Sequence, residues 1–177
     1  MLKRVYFAHG KESGPWGRKI QALARVAQAH GFMIESPDYS HTFDPQARVQ
    51  QLLDLKPQAD CLVLVGSSMG GYVSAQAAGQ LRPNGLFLIA PAFYMPGYES
   101  EPQAHDGLIE AVHGWDDDVI PVEHSIRFAR NHQARLHLIP GEHTLVEQLP
   151  LLERLFGLFL AEVEVATQQR LSASNSS

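Results

Sequence analysis

Three short stretches of the sequence carry residue types able to transfer an acyl group. The first is Gly66-Ser67-Ser68-Met69-Gly70, a G-x-S-x-G pattern centred on Ser68. It follows the aliphatic run from Cys61 to Val65 and precedes a small-residue helical stretch, so Ser68 falls on a strand-to-helix turn. A serine on such a turn sits at strained backbone angles with its hydroxyl pushed out of the sheet's carboxyl edge, and the flanking glycines leave room for the turn. The first N–H groups of the following helix have no intrahelical partner and lie at the positive end of its dipole. An oxyanion developing beside Ser68 would meet the Met69 N–H as its first donor.

The second stretch is His113-Gly114-Trp115-Asp116-Asp117-Asp118-Val119-Ile120-Pro121, and the third is Pro140-Gly141-Glu142-His143-Thr144. Alone, three aspartates on a turn read equally well as a solvated loop and helix cap, and a loop histidine as a surface residue. Together they place a nucleophile, an acid near 117 and His143 in that chain order, each directly after a strand. In such a set a neutral histidine takes the serine proton as the hydroxyl attacks an acyl carbon. The carboxylate holds the imidazole's tautomer, and water then releases the acyl group.

The elements that must position these residues follow from periodicity and punctuation. Short apolar strands are expected at 4–8, 32–35, 61–65, 86–90, 108–113 and 136–139. Helices are expected at about 15–30, with Pro15 at its start and Gly31 past its end, at 44–55 behind an Asp44-Pro45 cap, and at 69–81 and 121–132. The stretch 144–165 is also helical, with Pro150 either starting a new helix after a short turn or kinking a longer one. Strands alternating with helices imply an α/β fold: a single-domain, doubly wound parallel sheet of about six strands, flanked by helices on both faces. Its ligand crevice belongs at the carboxyl ends of the strands. The domain is expected over 1–166, leaving 167–177 as a polar, serine-rich, frayed tail.

Composition narrows the function classes. At 177 residues the chain suits one core. A formal charge of −5 offers no basic footprint for nucleic acid or an anionic membrane. The single cysteine, Cys61, lies in a buried strand, so no internal disulfide can form and a reduced, cytoplasmic setting is expected. No apolar run reaches membrane-spanning length and no secretory leader is visible at the N-terminus. His30, His41, His105, His124, His132 and His137 lack acidic or cysteine partners at metal-ligand spacing, so no metal is expected. No cofactor is expected either, because the first strand ends in His9-Gly10 rather than in a dinucleotide-binding glycine motif.

The ordered set of motifs resembles the α/β-hydrolase superfamily, in its small single-domain serine esterase or thioesterase branch. The residues that carry the resemblance are His9-Gly10, Pro37-Asp38-Tyr39, Gly66-Ser67-Ser68-Met69-Gly70-Gly71, Ala90-Pro91, His113-Gly114-x-x-Asp117-x-x-Ile120-Pro121 and Gly141-x-His143. The resemblance implies a triad of Ser68, Asp117 and His143. It also implies an oxyanion hole from the backbone N–H groups of Met69 and Lys11. The chain departs from larger relatives in starting directly on the His-Gly strand. Only about 17 residues, Pro91 to Gly107, separate its fourth and fifth strands, which leaves no room for a cap domain. The expectation is a minimal fold with a loop for a lid and an open site.

Phe93, Tyr94, Met95 and Tyr98 in that loop, with Trp115 beside the acid, either line an acyl pocket or pack the loop; the sequence leaves both open. Ser67 is expected to face away from the site, Ser13 to cap a helix, and His9 and His113 to be turn residues. The leading expectation is a serine hydrolase acting on a small-molecule ester or thioester, with short acyl groups preferred. The alternatives are an interaction protein that keeps the fold without using it, or a peptidase or acyltransferase using the same triad.

Overall fold

The structure, a computed structural model, describes residues 1–98, 100–103 and 105–176. Six parallel strands form one sheet in the order β2-β1-β3-β4-β5-β6: β1 (Lys3–Ala8), β2 (Met33–Glu35), β3 (Cys61–Ser67), β4 (Gly85–Ile89), β5 (Leu108–Gly114) and β6 (Arg135–Ile139). The helices α1 (Arg18–Ala29), α2 (Pro45–Asp54), α3 (Met69–Leu81), α4 (Val122–His132) and α5 (Leu149–Ser174) complete the chain. The apolar sides of α1 and α5 cover one face of the sheet around Val63, Val65 and Phe87; α2, α3 and α4 cover the other around Leu64, Leu86 and Leu88. With both faces covered, β4 is buried along its whole length and β3 from Cys61 to Gly66, which is why they read as continuous apolar runs rather than alternating ones.

Chain order reverses between β1 and β3. After β1 the chain steps outward to β2, then returns to place β3 on the other side of β1. The loops leaving β1 and β3 therefore diverge, opening a crevice at the carboxyl edge. The expected cap at Asp44 is present, its carboxylate accepting from the Gln46 N–H at 3.1 Å with Pro45 in the first turn.

Two helices differ from expectation. α1 begins at Arg18 rather than near Pro15, with Gly17 as an N-cap that has no side-chain bond, so Ser13 caps nothing. The Pro15 carbonyl is engaged instead by the Ser36 hydroxyl at 2.5 Å, which holds residues 11–17 as a loop beside the crevice. At the other end, a 3-10 turn at Val146–Gln148 precedes α5, whose first turn contains Pro150. The polar segment expected to fray from Thr167 onward instead continues as helix to Ser174. Its apolar stripe Phe156, Phe159, Leu160, Val163 keeps helical spacing into Thr167, which is buried and donates to the Val163 carbonyl at 2.8 Å. Cys61 is fully buried and burial pushes its thiol pKa up, as suits a core residue.

Candidate active site

Ser68 joins β3 to α3 at φ 54° and ψ −119°, a conformation that a non-glycine residue adopts only when its surroundings over-determine it. Here they do. The Ser68 N–H donates to the Ile89 carbonyl at 3.0 Å, and the Ser68 carbonyl accepts from Ala92 at 2.9 Å and Gly71 at 3.0 Å. The glycines are demanded by close approach: a Cβ on Gly66 would collide with the Gly70 carbonyl, and one on Gly70 with the carbonyl of Ala8 at the end of β1. Met69 is the first residue of α3, so its N–H has no intrahelical acceptor.

From Ser68 a hydrogen-bonded chain runs inward. The Ser68 hydroxyl lies 3.0 Å from Nε2 of His143, and Nδ1 of His143 lies 2.7 Å from Oδ2 of Asp117. The carboxylate can only accept, so Nδ1 carries the proton and Nε2 is free to accept from the serine. The Asp117 side chain has no solvent exposure, and that of His143 retains 18%. Burial raises the Asp117 pKa, but N–H groups of Ile120 (2.8 Å) and Val119 (2.9 Å) on Oδ1, with His143 on Oδ2, outweigh it and hold the carboxyl below its ordinary value. Acid and base loops are tied together as well, Trp115 donating to the Ile139 carbonyl at 2.9 Å and Asp116 to that of Gly141 at 3.0 Å.

A second histidine touches the same carboxylate. Nε2 of His113 lies 3.0 Å from the Ile120 carbonyl and 3.1 Å from Oδ2 of Asp117, so it is the protonated nitrogen, and Nδ1 accepts from the Ser125 hydroxyl at 2.7 Å. Burial lowers its pKa and keeps it neutral. This residue is more than the turn position expected from the sequence.

The same holds for His9. Its Nε2 accepts from the Tyr39 N–H at 2.9 Å, leaving Nδ1–H to donate to the Gly10 carbonyl at 2.8 Å. Arg48, fully buried on α2, donates to that carbonyl at 3.0 Å, to the Lys11 carbonyl at 3.1 Å and to the Thr42 carbonyl at 2.8 Å. In a planar trans peptide the C=O and N–H point opposite ways. With the Gly10 carbonyl turned to His9 and Arg48, the Lys11 N–H faces the other way. Gly10 itself packs against Ser68, whose Cβ lies 3.7 Å from where a Gly10 side chain would begin. Arg48 had no signal in the sequence, since a lone arginine on a helix reads as surface.

A cavity of about 680 Å³ opens on Ser68 and His143. Gly10 to Gly14, Gly17 to Ile20, Met95, Tyr98, Val119, Ile120, Thr144 and Val146 bound it. Met95 and Tyr98 thus belong to the lining, Tyr98 braced edge-on against Tyr72 at 5.2 Å. The other aromatics expected there do not. Phe93 is fully buried against Phe128 at 4.4 Å; Tyr94 lies under the Arg127 guanidinium at 3.7 Å; Trp115 is 54% exposed outside the cavity. Ser67 and Ser13 reach the same cavity. Among the described residues no cluster of His, Cys, Asp or Glu could hold a metal ion, and no helix is long and apolar enough to cross a membrane.

The six-stranded parallel sheet and its flanking helices are those of a known family. Residues 5–174 match the alpha/beta hydrolase family, to which the chain belongs. It is 34% identical to a protein from Xanthomonas campestris pv. campestris described as a candidate hydrolase of that superfamily, with a TM-score of 0.84 over 90% of this chain and 99% of the other. Est1E from Butyrivibrio proteoclasticus is 19% identical, with a TM-score of 0.78 over 93% of this chain and 89% of its own. The Pyrococcus furiosus esterase PF2001 is 16% identical, with a TM-score of 0.70 over 90% and 82%. These last two share the fold. No curated protein matches the chain. Family membership supports a hydrolase.

Proposed function

We propose that this protein is a serine hydrolase that cleaves a carboxylic ester or thioester of a small molecule through an acyl-serine intermediate. The observation that carries the reading is the continuous chain from buried Asp117 through His143 to the Ser68 hydroxyl, ending in a cavity of small-molecule size. Ser68 Oγ attacks the acyl carbon as its proton passes to Nε2 of His143, and Asp117 stabilises the imidazolium. The Met69 and Lys11 N–H groups receive the oxyanion. The tetrahedral adduct then expels the alcohol or thiol, which takes the proton from His143. Water attacks the acyl-serine with His143 again accepting its proton, and the acid is released with Ser68 restored. The cytoplasm is the proposed setting, resting on the lone buried Cys61.

Incubation with a fluorophosphonate probe tests this directly. Wild-type protein is expected to label and Ser68→Ala to lose both labelling and turnover of 4-nitrophenyl esters. Labelling that persists in Ser68→Ala, or moves to Ser67 or Ser13 in the same cavity, would overturn the assignment.

A further inference from the structure

Lys19 lines the cavity that holds Ser68 and His143. It is half-buried, yet among the described residues it makes no hydrogen bond, ion pair or aromatic contact. The one carboxylate whose field reaches it is Asp117, and that group is already committed to His143, His113 and two backbone N–H groups. Its surroundings carry the same sign. The lining has three cationic side chains, Lys11, Arg18 and Lys19, against one acidic one, Glu12, on a chain whose formal charge is −5. A cleft with a concentrated charge of one sign draws in ligands of the other.

The Lys19 ammonium is partly screened from water and has no protein partner among the described residues to offset the lost solvation, a cost that a methionine in the same space would not carry. Burial holds Lys19 at about 8, well below its ordinary 10.5, with Asp117 opposing only in part. Groups held in this way cluster at sites that use them. An anion entering the cavity would supply the missing partner, and a single ammonium inside, with Arg18 and Lys11 exposed, matches a single negative charge better than two.

We infer that the substrate of this site carries a carboxylate remote from the scissile carbonyl, and that Lys19 is the side chain that pairs with it. The inference rests on the hydrolase reading for the scissile bond, but its binding half stands apart from turnover.

Two matched ester pairs separate the acyl and leaving-group sides: 4-nitrophenyl pentanoate against mono-4-nitrophenyl glutarate, and phenyl acetate against 3-acetoxybenzoate. At pH 7 the anionic member of one pair is expected to exceed its neutral partner in kcat/KM by about tenfold or more, as a charge-assisted contact provides. Lys19→Met should bring that ratio near one, and so should raising the pH past about 8 or adding salt. Neutral esters preferred in both pairs, or a ratio unmoved by Lys19→Met, would overturn the inference. Calorimetric titration of glutarate into Ser68→Ala protein reads binding alone. Affinity should fall about tenfold or more when Lys19→Met is added, with the melting curve showing both variants folded. Equal affinity, or no binding, counts against it, and inorganic phosphate binding more tightly than glutarate would replace the carboxylate. Lys19-dependent glutarate binding without hydrolysis of any ester would mean that the hydrolase reading fails while this one holds.

Discussion

On the β5–β6 side of the cavity the buried carboxylate of Asp117 is saturated, with two backbone N–H groups on Oδ1 and two imidazoles on Oδ2. On the α1 side, Lys19 faces the same space with no partner among the described residues, and Arg18 and Lys11 stand exposed beside it. On the proposed reading, the difference is one of purpose. Groups that must keep one geometry through a reaction are locked by internal bonds, because reorganisation at the moment of charge development costs rate. Groups that meet a ligand are left unsatisfied, so that the ligand's own charge completes them.

The sharpest way to break this comparison is at its saturated end. Asp117→Asn should lower kcat by roughly 10³–10⁴-fold by allowing the wrong imidazole tautomer, whereas Asp116→Asn and Asp118→Asn, both exposed, should change it little. Steady-state ester hydrolysis by the three variants decides it, and a crippled Asp116→Asn would move the acid by one position. Next comes the wall behind Gly10. Arg48→Met frees the Gly10 and Lys11 carbonyls, so the Lys11 N–H loses its fixed direction; kcat should drop by about 10²-fold with KM moving far less. Equal changes in the two constants would mean that Arg48 serves binding or folding only.

His113 should matter less, since it acts through Asp117. His113→Gln is expected to cost about tenfold in kcat and about 1–3 kcal/mol in stability, read by denaturant titration, because it disturbs the pairing of Ser125 and Ile120. A stability loss with unchanged kcat would reduce it to a packing residue. On the open side the expected effect is on folding. Lys19 has a lowered folded-state pKa, so between about 8 and 10.5 the unfolded chain binds more protons and stability rises with pH. Wild type should gain on the order of 1–3 kcal/mol over Lys19→Met across that window, the variant being the more stable of the two below it. Parallel pH curves would show the lysine to be already satisfied. The smallest effect belongs to Trp115→Ala, which should alter kcat/KM less than about twofold and stability by less than about 0.5 kcal/mol, as an exposed side chain outside the cavity should.

What could be read in the sequence was whatever local pattern governs. Continuous apolar runs between amphipathic stretches imply a parallel sheet, because strands covered on both faces lose alternation. Ser68, Asp117 and His143 stood out because each follows its strand directly, and parallel strands deliver their carboxyl ends to one edge whatever their order. The structure does bring the three together.

The residues that escaped notice depend on partners distant in the chain. Arg48 acquires its meaning from carbonyls 38 and 37 positions away, and His113 from the side chain of Ser125 on another element. Lys19 acquires its meaning from the lack of a partner among the described residues around it, which no spacing encodes. Hydrophobicity was equally silent on direction: Phe93 points into the core and Trp115 into solvent, although both flank the site. The tail read as polar and frayed, yet Thr167 continues a stripe that the sheet buries. The sequence by itself determined the strand–helix alternation, and with it the sheet edge at which a nucleophile, an acid and a base would stand, because these follow from backbone periodicity. Which side chains are locked and which are left open to a ligand was decided only by tertiary packing, because burial and partnership are properties of the assembled neighbourhood and not of any one stretch.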